Sequence, residues 1–431
     1  MNGKHRILVI AHGHPDFHLG GGEIAAYNLF KAYREDPQVE RAFFLARHDR
    51  GRGPTGAISL RRDDEYLWEQ TVYDWFRMKA ANIDCLHYGF AEFIEQLRPS
   101  VVHVHHYMHL GLEYLRIIKQ VDPTIRVLMT LHEYGAICMN NGQMVKAGGT
   151  RLCSRESLDD CMRCFPEYSA EEFWLRKHRY RAYFDLVDKF VSPSEFLRQR
   201  YIAWGIVPER IVTIENGQER AKPRPPRLIA DGEGRNRFGF FGQINPFKGI
   251  DVLLQALAMM SKSERRRLTL EMHGTNLEYQ APEFRERILE LRAPLEKDGV
   301  LQWIGPYEPF QLADRMANVD WVLVPSVWWE NSPMVIQEAL SLGRPVVVSD
   351  IGGMAEKIVN GVNGVHVPVG NARAWADTLL RLCGETSSWE QLRAGILPSL
   401  SHADCARLHM QLLTEQDEYS GQMQKPIMKR A

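Results

Sequence analysis

Residues 321–364 read WVLVPSVWWENSPMVIQEALSLGRPVVVSDIGGMAEKIVNGVNG. Trp321 to Val324 is a short apolar run, the pattern of a strand covered on both faces. Ser332 and Pro333 suit a helix N-cap and first helical position. Val335, Ile336, Ala339 and Leu340 then recur with helical period, and Gly343 ends the helix. Val346 to Ser349 is the next strand, followed by a Gly352–Gly353 loop. Strand, helix and strand at this length make a parallel crossover unit. Two carboxylates bracket the helix start, Glu330 before it and Glu338 inside it. The free N–H groups near Ser332, Pro333, Met334 and Val335 suit a phosphate. Glu338 lies ~7.5 Å further along the axis, at 1.5 Å per residue, which is the reach from a diphosphate to its ribose. Taken singly, each glutamate reads as an ordinary solvated side chain; the arrangement carries the reading.

The length of 431 residues accommodates two or three domains. Apolar content of 45% and charged content of 25% are those of a globular protein. A net charge of −1 gives no basic field for nucleic acid. The apolar run Ile7–Ala11 is too short for a signal-peptide core and reads as a first strand. No stretch approaches the roughly 20 apolar residues of a membrane span, so a cytoplasmic location is expected.

Gly20, Gly21 and Gly22 precede a helix running to about Arg34, and such a turn lets backbone N–H groups approach a phosphate or sugar. The GxGxxG spacing of dinucleotide-binding folds is absent. Arg41–Ala46 reads as a second strand, 48–57 as an exposed loop, and Glu65–Leu97 as helical, with Phe90, Phe93, Ile94 and Leu97 in the core. Strands are expected at Val101–Val104 and Arg126–Leu131. His103, His105, His106 and His109 crowd the end of the first. With no strand-borne carboxylate to complete a metal site, packing is the expectation there. His132 follows the second, at a strand end where ligands gather in parallel sheets.

Cys138, Cys153, Cys161 and Cys164 fall in an insertion, 138–164, with little to form a core. Structural zinc, free thiols and a disulfide are all open to them. Ser169–Leu186 reads as a helix with a basic-aromatic face, a solvated face in preference to a membrane contact. The proline-rich, charged stretch 219–236 marks the domain boundary. Beyond it, Phe238–Phe241 is a strand, and Lys248 with Gly249 stands at its turn into the helix Ile250–Met260. A lysine there reaches a phosphate as a point charge. Arg267–His273 is another strand, closing in Gly274.

The segment from Glu330 to Glu338, with Gly343, Pro345, Gly352–Gly353 and Glu356, resembles the E-x7-E segment of retaining GT-B glycosyltransferases of family 4. The resemblance covers nearly the whole chain, most strongly 237–365. It implies an α/β fold of two Rossmann-like, doubly wound domains facing a cleft. An acceptor-side domain would span 1–220, a linker 221–236 and a nucleotide-sugar domain 237–395. A crossover helix region at 396–417 would return to the first domain, and a tail at 418–431 would follow.

Gly21, Gly22 and Glu23 match the family's donor-contacting GG-E, and His132 its histidine beside the transferred sugar. Lys248 and Gly249 match its phosphate-binding loop, where Gln243 stands in place of arginine and removes one positive charge. The implied catalytic residues are His132, Glu330 and Lys248. Gly21, Gly22, Gln243, Lys248, Gly274, Glu330, Ser332, Pro333, Met334, Val335 and Glu338 would bind the donor. No D-x-D occurs, so no diphosphate-bound cation and no catalytic cofactor is signalled. The implied reaction moves a sugar from a nucleotide-sugar to a glycan, lipid-linked or small-molecule acceptor with retention, on the inner face of a membrane or free of it. A phosphorylase, a sugar-nucleotide epimerase and a non-catalytic binder are the alternatives. Oligomeric state is left open.

Overall fold

The first apolar run becomes β1 (His5–Ala11), with Ile7 to Ala11 fully buried at the middle of an eight-stranded sheet. The computed structural model describes residues 4–18, 20–48, 54–219 and 223–423, with side chains as far as Leu413. Residues 49–53 of the expected exposed loop, 220–222 at the boundary and 424–431 of the tail lie outside the described residues. Two compact units emerge. The first comprises 1–147, 154–217 and 400–431, and the second 148–153 and 218–399.

In the first unit β2 (Val39–His48), β3 (Ile58–Arg62) and β4 (Glu65–Glu69) extend the sheet on one side of β1. A small hairpin, β5 (Val72–Asp74) and β6 (Lys79–Ala80), stands apart. On the other side lie β7 (Val101–Val104), β8 (Arg126–Thr130), β9 (Lys189–Ser192) and β10 (Ile211–Thr213). The order is β10-β9-β8-β7-β1-β2-β4-β3, parallel except for β3 against β4. Parallel neighbours require crossovers, and helices supply them on both faces.

Residues 65–82 correct the helical expectation. Glu65–Glu69 pairs with β2 because Tyr66 and Trp68 suit a pleated surface and Trp68 is wholly buried. Helix begins only at Ile83, and Phe90, Phe93, Ile94 and Leu97 pack inward as expected. The last helix, His402–Met423, returns to this unit. Its Cys405, Ala406, Met410 and Leu413 share a core with Ala26, Leu29 and Phe30 of the helix Gly21–Glu35. The helix Ala170–Phe184 is capped by Ser169 and buries Phe173 and Arg176, leaving Trp174 and Leu175 exposed.

The second unit holds β11 (Arg237–Gln243), β12 (Thr269–Thr275), β13 (Leu301–Trp303), β14 (Trp321–Val324), β15 (Val346–Ser349) and β16 (Gly364–Val367). Their order is β13-β12-β11-β14-β15-β16, all parallel. The stretch expected to be a linker is instead strapped to this unit. Arg227 and Arg235 reach buried Asp320 at 3.0 and 3.2 Å. Arg344, with no exposed surface, donates to the carbonyls of Arg224, Pro225, Met316 and Ala317. Among the described residues no helix is long and apolar enough to cross a membrane.

Candidate functional site

In each sheet the chain departs from a central strand to opposite sides. Ligands in such sheets gather at the carboxyl ends flanking that switch point. In the second unit the switch lies between β11 and β14. Their carboxyl-end loops carry Lys248 and Glu330.

Lys248 Nζ lies 2.6 Å from Glu330 Oε1, which also accepts from Ser326 Oγ at 2.8 Å and Trp328 Nε1 at 2.9 Å. Burial alone would raise the Glu330 carboxyl. The Lys248 charge and these three hydrogen bonds outweigh it and hold the group below the usual carboxylate range. The loop that carries Glu330 is fixed from behind. The Gly353 N–H donates to the Glu330 carbonyl at 2.8 Å, and a Cβ at Gly353 would come within 1.7 Å of the Asn331 carbonyl oxygen. Gly249, at φ +67°, passes so close to Pro325 that a Cβ would lie 2.0 Å from its carbonyl oxygen.

The helix spans Met334–Ser341, one residue later than expected. Pro333, extended at ψ 116°, occupies the cap position with no side-chain cap bond, and Ser332 Oγ is buried without a hydrogen-bond partner. Gly352 and Gly353 open a short helix, Gly352–Lys357, where a loop was expected. Glu338 sits in the second turn of Met334–Ser341, and burial pushes its carboxyl up to about 7. Lys357, on the neighbouring short helix, is brought down to about 7 by burial. Gln243 ends β11 exposed. Gly274 has a packing role: a Cβ there would lie 2.6 Å from the Gly242 carbonyl oxygen across the β11–β12 ladder.

In the first unit the switch flanks β1. His12 follows β1, His105 and His106 follow β7, and His132 follows β8. Gly21 and Gly22 open the helix beneath them, and a Cβ at Gly22 would lie 2.5 Å from His106 Nε2. His132 Nε2 stands 3.0 Å from His105 Nδ1, and burial brings His132 down to about 4, against the opposing pull of Glu23. His132 is therefore a neutral imidazole near neutral pH. Its neighbour Glu133 is pushed up to about 7 by burial.

The sequence reading brought out Gly21, Gly22 and His132 but passed over His12, Glu133 and Lys357. The position of His12 directly after the first strand was the available signal. The expectation for the histidines concerned strand-borne carboxylates only. Glu23 supplies one from a helix, bonded to His12 at 3.0 Å.

Among the described residues no three of the four cysteine sulfurs lie within 4.8 Å of one another. Cys153 belongs to the second unit, where its carbonyl accepts from Trp329 Nε1. Cys138, Cys161 and Cys164 belong to the first. Among the described residues the grouping with three ligand atoms within 4.8 Å is His12, Glu23 and His106. None of the four is in a disulfide, and burial pushes Cys161 up to about 11.

Comparison with known families places both units. Residues 19–221 match the family described as Glycosyltransferase Family 4, and residues 235–385 match Glycosyl transferases group 1. A D-inositol 3-phosphate glycosyltransferase of Jonesia denitrificans is 35% identical over 162 residues, 36% of this chain and 37% of the relative. One from Corynebacterium kroppenstedtii is 26% identical over 303 residues, 69% of this chain and 62% of the relative. The matched stretches thus span from 37% to 62% of the length of these two relatives. Among solved structures, sucrose-phosphate synthase from Thermosynechococcus elongatus has a TM-score of 0.64 at 17% identity, covering 97% of this chain and all of that one. Anabaena HepE in complex with UDP and glucose has a TM-score of 0.63 at 16% identity, covering 95% and 100%. At such identity the likeness shows the fold: two Rossmann-like units of the GT-B type.

Proposed function

The chain belongs to the family 4, group 1 glycosyltransferases of GT-B fold, and from that premise we propose that it moves a sugar from a nucleotide-sugar to an acceptor hydroxyl with retention of anomeric configuration. The observation that carries the reading is the Lys248–Glu330 pair at the switch point of the second sheet, with Glu338 one helical stretch away. A diphosphate brought to that edge meets the Lys248 ammonium and the N–H groups that open Met334–Ser341. Glu338 accepts from the ribose hydroxyls, and Glu330 orients Lys248 and faces the sugar.

In the reaction the bond between the anomeric carbon and the phosphate oxygen breaks. The acceptor oxygen bonds to that carbon on the same face, and its proton passes to the departing phosphate oxygen. Lys248 offsets the charge that develops on the leaving group, so the diphosphate needs no cation of its own. His132, as a neutral imidazole, contributes a hydrogen bond to the sugar and no nucleophile. The first unit takes the acceptor. A uridine diphosphate-sugar is the donor to try first, since the Anabaena neighbour forms complexes with UDP and with UDP-glucose. A glycan or lipid-linked acceptor and polysaccharide assembly follow the family resemblance, and a cytoplasmic setting follows the apolar pattern of the sequence.

The test is a panel of nucleotide-sugars and acceptors with products read by mass spectrometry. Turnover is expected in the unaltered protein and strong loss in Lys248→Ala and Glu338→Ala. Full activity in both variants would remove the assignment.

A further inference from the structure

The histidine cluster of the first unit holds more ligating chemistry than a sugar site needs. His12 leaves the carboxyl end of β1, His106 leaves that of β7, and Glu23 rises from the first turn of the helix Gly21–Glu35. His12 Nε2 and Glu23 Oε1 are 3.0 Å apart, and the His12 and His106 rings approach to 3.7 Å between centroids, edge to face. One ligand atom from each of the three residues lies within 4.8 Å of the others. Two donors bound at 2.0–2.1 Å in tetrahedral geometry stand about 3.3 Å apart, so the grouping needs only a small contraction to close on one ion.

The surroundings point the same way. His106 is 3% exposed and its Nδ1 has no hydrogen-bond partner. Buried polar atoms left unpaired in a folded protein call for a missing partner, an ion among them. Glu23 supplies the carboxylate ligand. The His132 ring lies 4.9 Å from that of His106 and the His109 ring 5.6 Å from that of His12.

We propose that His12, Glu23 and His106 form a binding site for one divalent transition-metal ion of the zinc class. Two imidazoles and a carboxylate with a fourth position open are the ligand set of exchangeable zinc sites, and imidazole nitrogen selects against magnesium and calcium. The site draws all three residues from the first unit. It does not rest on the transferase reading.

The experiment is calorimetric titration of the chelator-stripped full chain with zinc, cobalt(II) and magnesium, with thermal unfolding followed alongside. Expected are one equivalent of zinc or cobalt, no magnesium, and an unfolding temperature that rises with zinc concentration as binding to the folded state requires. Glu23→Gln and His12→Gln should each weaken zinc by about 100-fold or more, since each removes a direct ligand where even outer-shell changes cost 10- to 100-fold. Their unfolding in excess chelator shows whether they fold. The double change Cys161→Ser, Cys164→Ser should leave the equivalent in place. Absence of saturable binding would overturn the site, as would zinc binding that survives both Glu23→Gln and His12→Gln or disappears with the two cysteines.

Discussion

Replacing Lys248 with methionine keeps most of the stem and removes the charge that faces Glu330. The Glu330 side chain is 9% exposed and that of Lys248 27%. Breaking a buried pair by deleting one partner costs roughly 3–5 kcal/mol. The partial exposure of Lys248 and the retained bonds from Ser326 and Trp328 put this case at the lower end, about 3 kcal/mol. The sign follows from linkage. In the unaltered protein the Glu330 pKa is depressed, so its contribution is present above the unfolded carboxyl value and fades as pH falls through the folded one. In Lys248→Met burial acts with less opposition, the pKa rises, and the penalty exists only while the carboxylate is ionised. Urea unfolding of both proteins should therefore show a gap of about 3 kcal/mol near pH 7.5 that narrows toward pH 5. Adding Glu330→Gln to the variant should recover most of the loss at the higher pH. An equal gap at both pH values, or no recovery in the double variant, would refute the pairing argument.

Three further outcomes are expected. With the Glu338 carboxyl at about 7, ribose binding to its ionised form should be about fivefold weaker at pH 6 than at pH 7 and should release protons, measured by calorimetry in buffers of different ionisation enthalpy. Gly353→Ala forces the Glu330 loop away from a 1.7 Å contact, so it should cost about 1–3 kcal/mol in unfolding experiments and weaken nucleotide binding with it. Arg344→Met leaves the carbonyls of Arg224 and Pro225 without their donor, so stability should fall by about 3 kcal/mol and residues 223–236 should become cleavable by protease.

The second unit was legible because each of its signals is local. Apolar runs such as Trp321–Val324, the glycine breaks and the Glu330–Glu338 spacing lie within one crossover, and the strands fall where the pattern puts them. Residues 65–82 were not legible, because aromatic residues at near-helical spacing serve equally well in strands once β2 offers an edge. The strap at 223–236 escaped for another reason. Proline and charge mark a boundary, but the partners that tie it down, Asp320 and Arg344, lie about a hundred positions away. Contacts of that separation leave no periodicity. The same holds for the histidine cluster, whose carboxylate comes from a helix and not from the strands that carry the histidines. Cys138, Cys153, Cys161 and Cys164 show the converse. Closeness in sequence left zinc, thiols and a disulfide all open, and among the described residues no three of the sulfurs lie within 4.8 Å of one another.

The central claim, that the edge bearing Lys248, Glu330 and Glu338 holds a nucleotide-sugar, is tested most directly by calorimetric titration with uridine diphosphate-glucose and its counterparts. The account predicts one saturable site for at least one donor, weakened at least about tenfold in Glu338→Ala and in Lys248→Ala, a loss of about 1.4 kcal/mol or more in each. Affinity unchanged in both variants, or no saturable binding of any nucleotide-sugar, would contradict it.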